Sequence, residues 1–148
     1  MDSTYVVGID VGGQTSKLGV VDARGAVLAQ TVIRTDTYSE VEPYIAELAA
    51  AVKKIIKESG TEGKVRGIGV GAPNGNYYTG TIENAPNLLW GHNKVEFAKL
   101  LTEAMDGLPV ALTNDANAAA VGEMTYGAAR GMKNFIMITL VLVSDQVS

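Results

Sequence analysis

Between Tyr5 and Ile33 the chain alternates three runs of strand-forming residues with links too short to hold a crossover helix, and that spacing dictates how the fold begins. Tyr5-Val6-Val7-Gly8-Ile9-Asp10-Val11 reads as the first strand, Leu18-Gly19-Val20-Val21-Asp22 as the second and Val27 to Ile33 as the third. Gly12-Gly13-Gln14-Thr15-Ser16-Lys17 turns the first into the second, and Ala23-Arg24-Gly25 turns the second into the third. Parallel neighbours need a crossover of a dozen or more residues. An antiparallel three-strand meander is therefore predicted.

The pattern then changes. Thr35 to Ser39 offers helix caps, including the boxes Thr37-x-x-Glu40 and Ser39-x-x-Glu42, ahead of a helix running to about Glu58. Tyr44, Ile45, Leu48, Val52, Ile55 and Ile56 share one face of it and read as core packing. Ser59-Gly60-Thr61-Glu62-Gly63 stops the helix, and Val65 to Val70 is a buried strand that makes the sheet parallel from here on. Asn93 is placed to cap a helix from Lys94 to Met105, which Gly107 ends, and Pro109-Val110-Ala111-Leu112 is the next buried strand. Ala116 to Met124 reads as helix, Gly127 to Gly131 as a break, and Phe135 to Val143 as a strongly apolar strand that needs an edge partner. The whole is an α/β chain with a mixed sheet, three antiparallel strands and then parallel ones, and helices on both faces.

Composition limits what such a sheet can serve. The 148 residues are 47% hydrophobic, enough for one compact domain with a real core, and 17 glycines against 4 prolines favour tight turns over linkers. The net charge is -4 with scattered Lys and Arg, so no basic footprint for nucleic acid exists. Cysteine is absent, which removes thiolate metal sites, disulfides and cysteine nucleophiles, and the single His92 has no second imidazole to build a metal cluster with. Met1-Asp2-Ser3 does not open a signal peptide and no apolar run is of membrane-spanning length. The expectation is a soluble cytoplasmic protein without nucleic-acid or membrane partners.

Three stretches carry chemistry. In Leu112-Thr113-Asn114-Asp115-Ala116-Asn117, Asn114 reads as a helix N-cap and Asp115 lies in the first turn, where the helix dipole favours an ionised carboxylate able to take a proton from a hydroxyl. Spacing alone leaves a second reading open, that Asp115 merely supports the helix start. The glycine turn can bring N–H groups close to phosphate oxygens, with Thr15 and Ser16 adding hydroxyl donors and Asp10 able to hold Mg2+ through water. An ordinary hairpin whose glycines supply positive φ is the alternative. Gly71 to Asn87 is a long excursion rich in amides, hydroxyls and aromatics, suited to a polyhydroxylated ligand with a Tyr or Trp90 covering its apolar faces. Its Tyr77 to Ile82 portion also reads as a surface hairpin. Gly67-x-Gly69-x-x-Ala72 looks like a dinucleotide fingerprint but lies inside a strand and runs into Pro73, so it is rejected.

Taken together, Gly8-Ile9-Asp10-Val11-Gly12-Gly13, Gly69-Val70-Gly71-Ala72-Pro73, Asn84-Ala85-Pro86-Asn87-Leu88 and Thr113-Asn114-Asp115-Ala116-Asn117-Ala118 resemble the ROK family of sugar kinases, above all its bacterial glucokinases. The resemblance runs from about Tyr5 to Leu140. It implies an actin-like (ribonuclease H-like) fold whose N-terminal lobe occupies residues 1–133, with residues 134–148 starting a second lobe. It implies ATP-dependent phosphorylation of a hexose, glucose foremost, at the 6-hydroxyl, with ATP and Mg2+ as cofactors and a homodimeric parent. By the same resemblance Asp115 is the catalytic base, Asn114, Asn74, Gly75 and Asn87 face the sugar, and Asp10, Gly12, Gly13, Gln14 and Thr15 form the first phosphate motif. Two departures stand out. Gln14 occupies the position after the paired glycines where the family usually has Thr, and the residues after Leu140 depart from the family's second phosphate loop. The chain alone is therefore expected to have little or no kinase activity. The alternatives are a sugar-sensing regulator, which in this family carries a DNA-binding segment ahead of the first strand, or a noncatalytic sugar-binding module that self-associates through Phe135 to Val143.

Overall fold

A computed structural model describes residues 5–22, 27–76 and 78–113. Strands β1 (Tyr5–Val11), β2 (Thr15–Asp22) and β3 (Val27–Arg34) form the expected antiparallel meander, Asp10 standing opposite Lys17 and Thr15 opposite Arg34. β4 (Val65–Gly71) then adds in parallel beside β1, and β7 (Val110–Thr113) in parallel beside β4, giving the order β3-β2-β1-β4-β7. Between β4 and β7 lie a two-strand ribbon, β5 (Gly75–Asn76) with β6 (Thr81–Ile82), and helix α2 (Phe97–Ala104). The mixed sheet is the predicted one. The predicted helix Ala116 to Met124, the strand Phe135 to Val143 and the boundary at residue 134 lie outside the described residues.

Helix α1 (Val41–Ser59) buries Tyr44, Ile45, Leu48, Ala49, Val52, Ile55 and Ile56 on the sheet, the stripe its 3.6-residue period predicts. Each large side chain buried there contributes roughly 1.5–3 kcal/mol of transfer free energy. Gly60 ends α1 at φ 73, donating its N–H to Lys57 O at 3.1 Å while Thr61 N–H reaches Ile56 O at 3.2 Å. A residue with a Cβ would be strained in that left-handed position, which is why glycine closes the helix. Phe97 and Leu101 of α2 join the same core, so both described helices pack together. Among the described residues, no helix is long and apolar enough to cross a membrane.

The two helix starts differ from expectation. Neither capping box closes the start of α1: Glu40 occupies the cap position and its side chain makes no cap hydrogen bond. Thr35 and Asp36 are instead drawn to Gln14, whose carbonyl accepts both their N–H groups. α2 begins at Phe97 rather than Lys94, because Val95 is taken up in reciprocal backbone bonds with Ile82 at 2.8 and 2.9 Å. At α2 a long-range backbone partner wins over the local cap signal.

Candidate functional site

The parallel strands β1, β4 and β7 end side by side, with Asp10 in register with Gly71 and Gly71 with Thr113. The carboxyl ends of parallel strands are where α/β proteins bind ligands. Val7, Ile9 and Val11 point to the α1 core, so Asp10, between them, emerges on the opposite face. Gly71 beside it offers no side chain, and Lys17 stands on its other side. Asn114 and Asp115, which follow Thr113 directly in the chain, lie outside the described residues.

The predicted phosphate turn leaves β1 at this end. Gly12 donates its N–H to Thr15 O at 2.9 Å, and a Cβ on Gly12 would lie only 2.9 Å from that same oxygen. A Cβ on Gly13 would lie 2.9 Å from Asn87 O. Neither glycine has the positive φ of a hairpin turn. They are needed for close backbone approach, and at Gly13 the approaching group is the loop that carries Asn87. Two stretches picked out separately in the sequence thus touch, Gly13 against Asn87. Gln14 is exposed and Thr15 half-buried, and the carbonyl of Gln14 accepts from Thr35 N–H at 2.8 Å and Asp36 N–H at 3.4 Å.

The excursion after β4 folds largely on itself. Gly75 N–H bonds Ala72 O at 3.0 Å, closing a turn that holds Asn74 at φ 59. The Asn74 side-chain amide donates to Glu83 O at 3.0 Å and to Asn84 O at 2.7 Å. Its nitrogen is thus committed to stapling the loop. Asn76 Oδ1 accepts from the N–H groups of Tyr78 and Thr79, and Thr79 and Thr81 share a 2.6 Å hydroxyl bond, so the β5–β6 ribbon is the surface hairpin the sequence allowed. Beyond it Ala85 N–H bonds Gly91 O, Leu88 N–H bonds Ala85 O and Gly91 N–H bonds Leu88 O, all within 3.1 Å. This knot leaves Asn87 exposed at its outer side.

Trp90 is not a platform for a sugar. It is 6% exposed, stacked on Tyr44 with ring centroids 4.8 Å apart and on Phe97 at 5.9 Å, and its Nε1–H has no hydrogen-bond partner among the described residues. The expected covering role is corrected to a core role. The Ser16 hydroxyl, expected to add a phosphate donor, is instead fully buried in a hydroxyl trio that sequence reading missed: Ser16 Oγ lies 2.6 Å from Thr35 Oγ1 and 2.7 Å from Tyr44 Oη. Burial pushes the Tyr44 phenol far above its ordinary range despite those two hydroxyls, so it stays neutral. A polar tip on an otherwise apolar helix stripe was the only signal available for it. On the surface, Arg34 grips Asp36 through two bonds of 3.0 and 2.7 Å, which holds the Asp36 carboxyl below its usual value. Among the described residues, no group of three His, Asp or Glu side chains is arranged to hold a metal by itself.

Comparison with known proteins agrees with this architecture. The chain matches the model of the ROK family over residues 6–141. It is 35% identical over 135 residues to a glucokinase from Streptomyces coelicolor, a match covering 90% of this chain and 40% of that protein. A ROK hexokinase structure from Thermus thermophilus superposes with a TM-score of 0.69 at 36% identity, covering 86% of this chain and 40% of that one. A ROK glucokinase from Streptomyces griseus, solved in complex with glucose and AMPPNP, gives 0.66 at 33% identity over 86% of this chain and 38% of that one. The chain thus spans about 40% of the length of these relatives.

Proposed function

Because the chain belongs to the ROK family, and the relatives named above are glucokinases and a ROK hexokinase of the actin-like fold, with xylose repressors among the less identical matches, we propose that it is the sugar-binding lobe of an ATP-dependent hexose kinase, acting on the 6-hydroxyl of glucose. The observation that carries this reading is the contact of Gly13 with Asn87, which joins the phosphate-side turn to the sugar-facing loop at the carboxyl ends of β1 and β4. Separate surfaces would not serve a transfer between two ligands. Transfer of a phosphoryl group depends chiefly on holding donor and acceptor in line.

The residues present fit the implied cofactors. Gly12 and Gly13 present backbone without side chains, Gln14 and Thr15 add donors, and Asp10 is the hard oxygen ligand that Mg2+ takes, through water. ATP bound there supplies the transferable phosphoryl group, and Mg2+ neutralises its charge. The chain's own part is to bind and orient. Asn114 and Asn87 hold sugar hydroxyls, Gly75 keeps the loop close to the ligand, and Asn74 fixes the loop through the two carbonyls it grips. Asp115 takes the proton of the 6-hydroxyl as that oxygen attacks.

The test grafts residues 1–133 onto the S. griseus glucokinase in place of its own equivalent lobe and follows ADP release with glucose. Turnover is expected from the graft and little or none from the 148-residue chain alone. Asp115→Asn in the graft should lower kcat by roughly 10²–10⁴, the usual worth of a positioned base, with glucose affinity nearly unchanged. Equal loss of affinity and turnover would remove Asp115 from the base role.

A further inference from the structure

The Gly12–Thr15 turn has a single internal backbone bond and is otherwise braced from outside, by Thr35 and Asp36 on the carbonyl of Gln14. Directly after it, Ser16 enters the protein. Ser16, Thr35 and Tyr44 are 0%, 1% and 0% exposed, and the Ser16 hydroxyl bonds both of the others. Buried hydroxyls need such partners, and three that satisfy one another lock the segments that carry them. The segments are the strand leaving the turn, the end of β3 and the first turns of α1.

Tyr44 has a second contact. Its ring stacks on Trp90 at 4.8 Å with the planes 24° apart. Trp90 belongs to the hydrogen-bonded knot of Ala85, Leu88 and Gly91 that also carries Asn87, the residue whose carbonyl meets Gly13. One side chain therefore touches the strand behind the turn through its hydroxyl and the loop through its ring. A phenylalanine or leucine would fill the helix stripe as well; only the hydroxyl reaches Ser16.

We propose that Tyr44 is a positioning residue that sets the Gly12–Thr15 turn against the 84–91 loop and so fixes the spacing between the two sides of the site. What lies on each side, phosphate and sugar, rests on the functional reading above; the mechanical link does not.

The test uses the 148-residue chain with Tyr44→Phe, which keeps the ring stack, and Ser16→Ala, which removes the same bond from its other end together with the bond to Thr35. Ile55→Val, a core change on the same helix, is the control for general loosening. Amide hydrogen exchange is followed by NMR at Gly12 and Thr35, whose N–H groups hold the turn, and at Val7 and Ile9 in the middle of β1. Both variants should speed exchange at Gly12 and Thr35 at least threefold more than at Val7 and Ile9, and the double variant should add little to Ser16→Ala, which already removes the Tyr44 bond. Ile55→Val should move all four together. Turn amides that merely track β1 in Tyr44→Phe would overturn the proposal, as would full additivity of the two variants. A second arm titrates AMPPNP and follows the Gly12 and Gly13 amides, where Tyr44→Phe should weaken the response at least threefold. An unchanged affinity would also overturn the positioning role. If the unaltered chain shows no AMPPNP response at those amides, the nucleotide assignment of the turn fails, and the exchange measurement alone decides on Tyr44.

Discussion

The turn between β1 and β2 and the excursion between β4 and α2 meet at the same end of the sheet, yet they are held in opposite ways. The excursion is stapled from within: Asn74 grips Glu83 and Asn84, and Ala85, Leu88 and Gly91 bond one another. The turn has almost nothing of its own and borrows its shape from Thr35, Asp36 and the Ser16–Tyr44 contact. A self-stapled loop keeps its own shape even where, as at Trp90, it packs on the core. A borrowed one transmits changes made elsewhere, which makes the Gly12–Thr15 turn the adjustable side of the contact.

The contact between the two regions is the first thing to break. Gly13→Val would drive a branched side chain into Asn87 O, which already lies 2.9 Å from an added Cβ. Backbone cannot yield as a flexible side chain would, so a loss of about 3 kcal/mol is expected in urea unfolding, at the upper end for overpacking. The displacement should fall on the turn, as the weaker partner. Faster exchange in the loop amides Ala85 and Gly91 than at Gly12 would reverse that ranking.

Asn74→Ala attacks the loop from within. Two carbonyls lose their donor, and alanine at φ 59 is less tolerant of the left-handed region than asparagine. A loss of about 1–2 kcal/mol is expected, because the site is exposed and water can replace part of the bonding. Exchange should accelerate at Gly75 and Ala85 while the turn amides keep their rates. Loosening of Gly12 to the same extent would mean that the loop does not keep its shape independently of the turn.

Trp90→Phe sharpens the distinction between core and ligand surface. The ring stack with Tyr44 and Phe97 survives in part, and the buried Nε1–H, without a partner among the described residues, disappears. Lost packing and the removed orphan donor oppose each other, so the net change should stay within about 1 kcal/mol. Glucose affinity of the grafted kinase should be unaffected; a tenfold loss would return Trp90 to the sugar.

These contrasts explain which parts of the molecule the sequence makes legible. The meander, the parallel switch at Val65 and the α1 stripe depend on link length and on periods of two and 3.6, which are local quantities. The positions of Asp10, Gly12 and Gly13 follow from the same local pattern. What Gly13 is for does not, since its reason is Asn87, far along the chain. Trp90 reads as a cover for a sugar face until Tyr44 and Phe97 are brought to it. Asn74 announces a turn, but its two acceptors are set by how the ribbon closes.

The smallest expected effect concerns the outer brace of the turn. Arg34 and Asp36 form a 2.7 Å ion pair beside the residues that hold Gln14. Hydrogen bonding to Arg34 lowers the Asp36 carboxyl below its ordinary 3.8. A carboxylate depressed in the folded state contributes stability that is present above that ordinary value, at neutral pH included, and is lost as pH falls through the folded one, so any contribution disappears only in the acid range. Both side chains face solvent, where such pairs are screened and weak. Arg34→Gln should therefore raise the Asp36 pKa, read by NMR titration, while leaving the unfolding midpoint at pH 7 essentially unchanged. If the midpoint falls together with protection of the Thr35 amide, the ion pair, and not the buried hydroxyls, carries the turn.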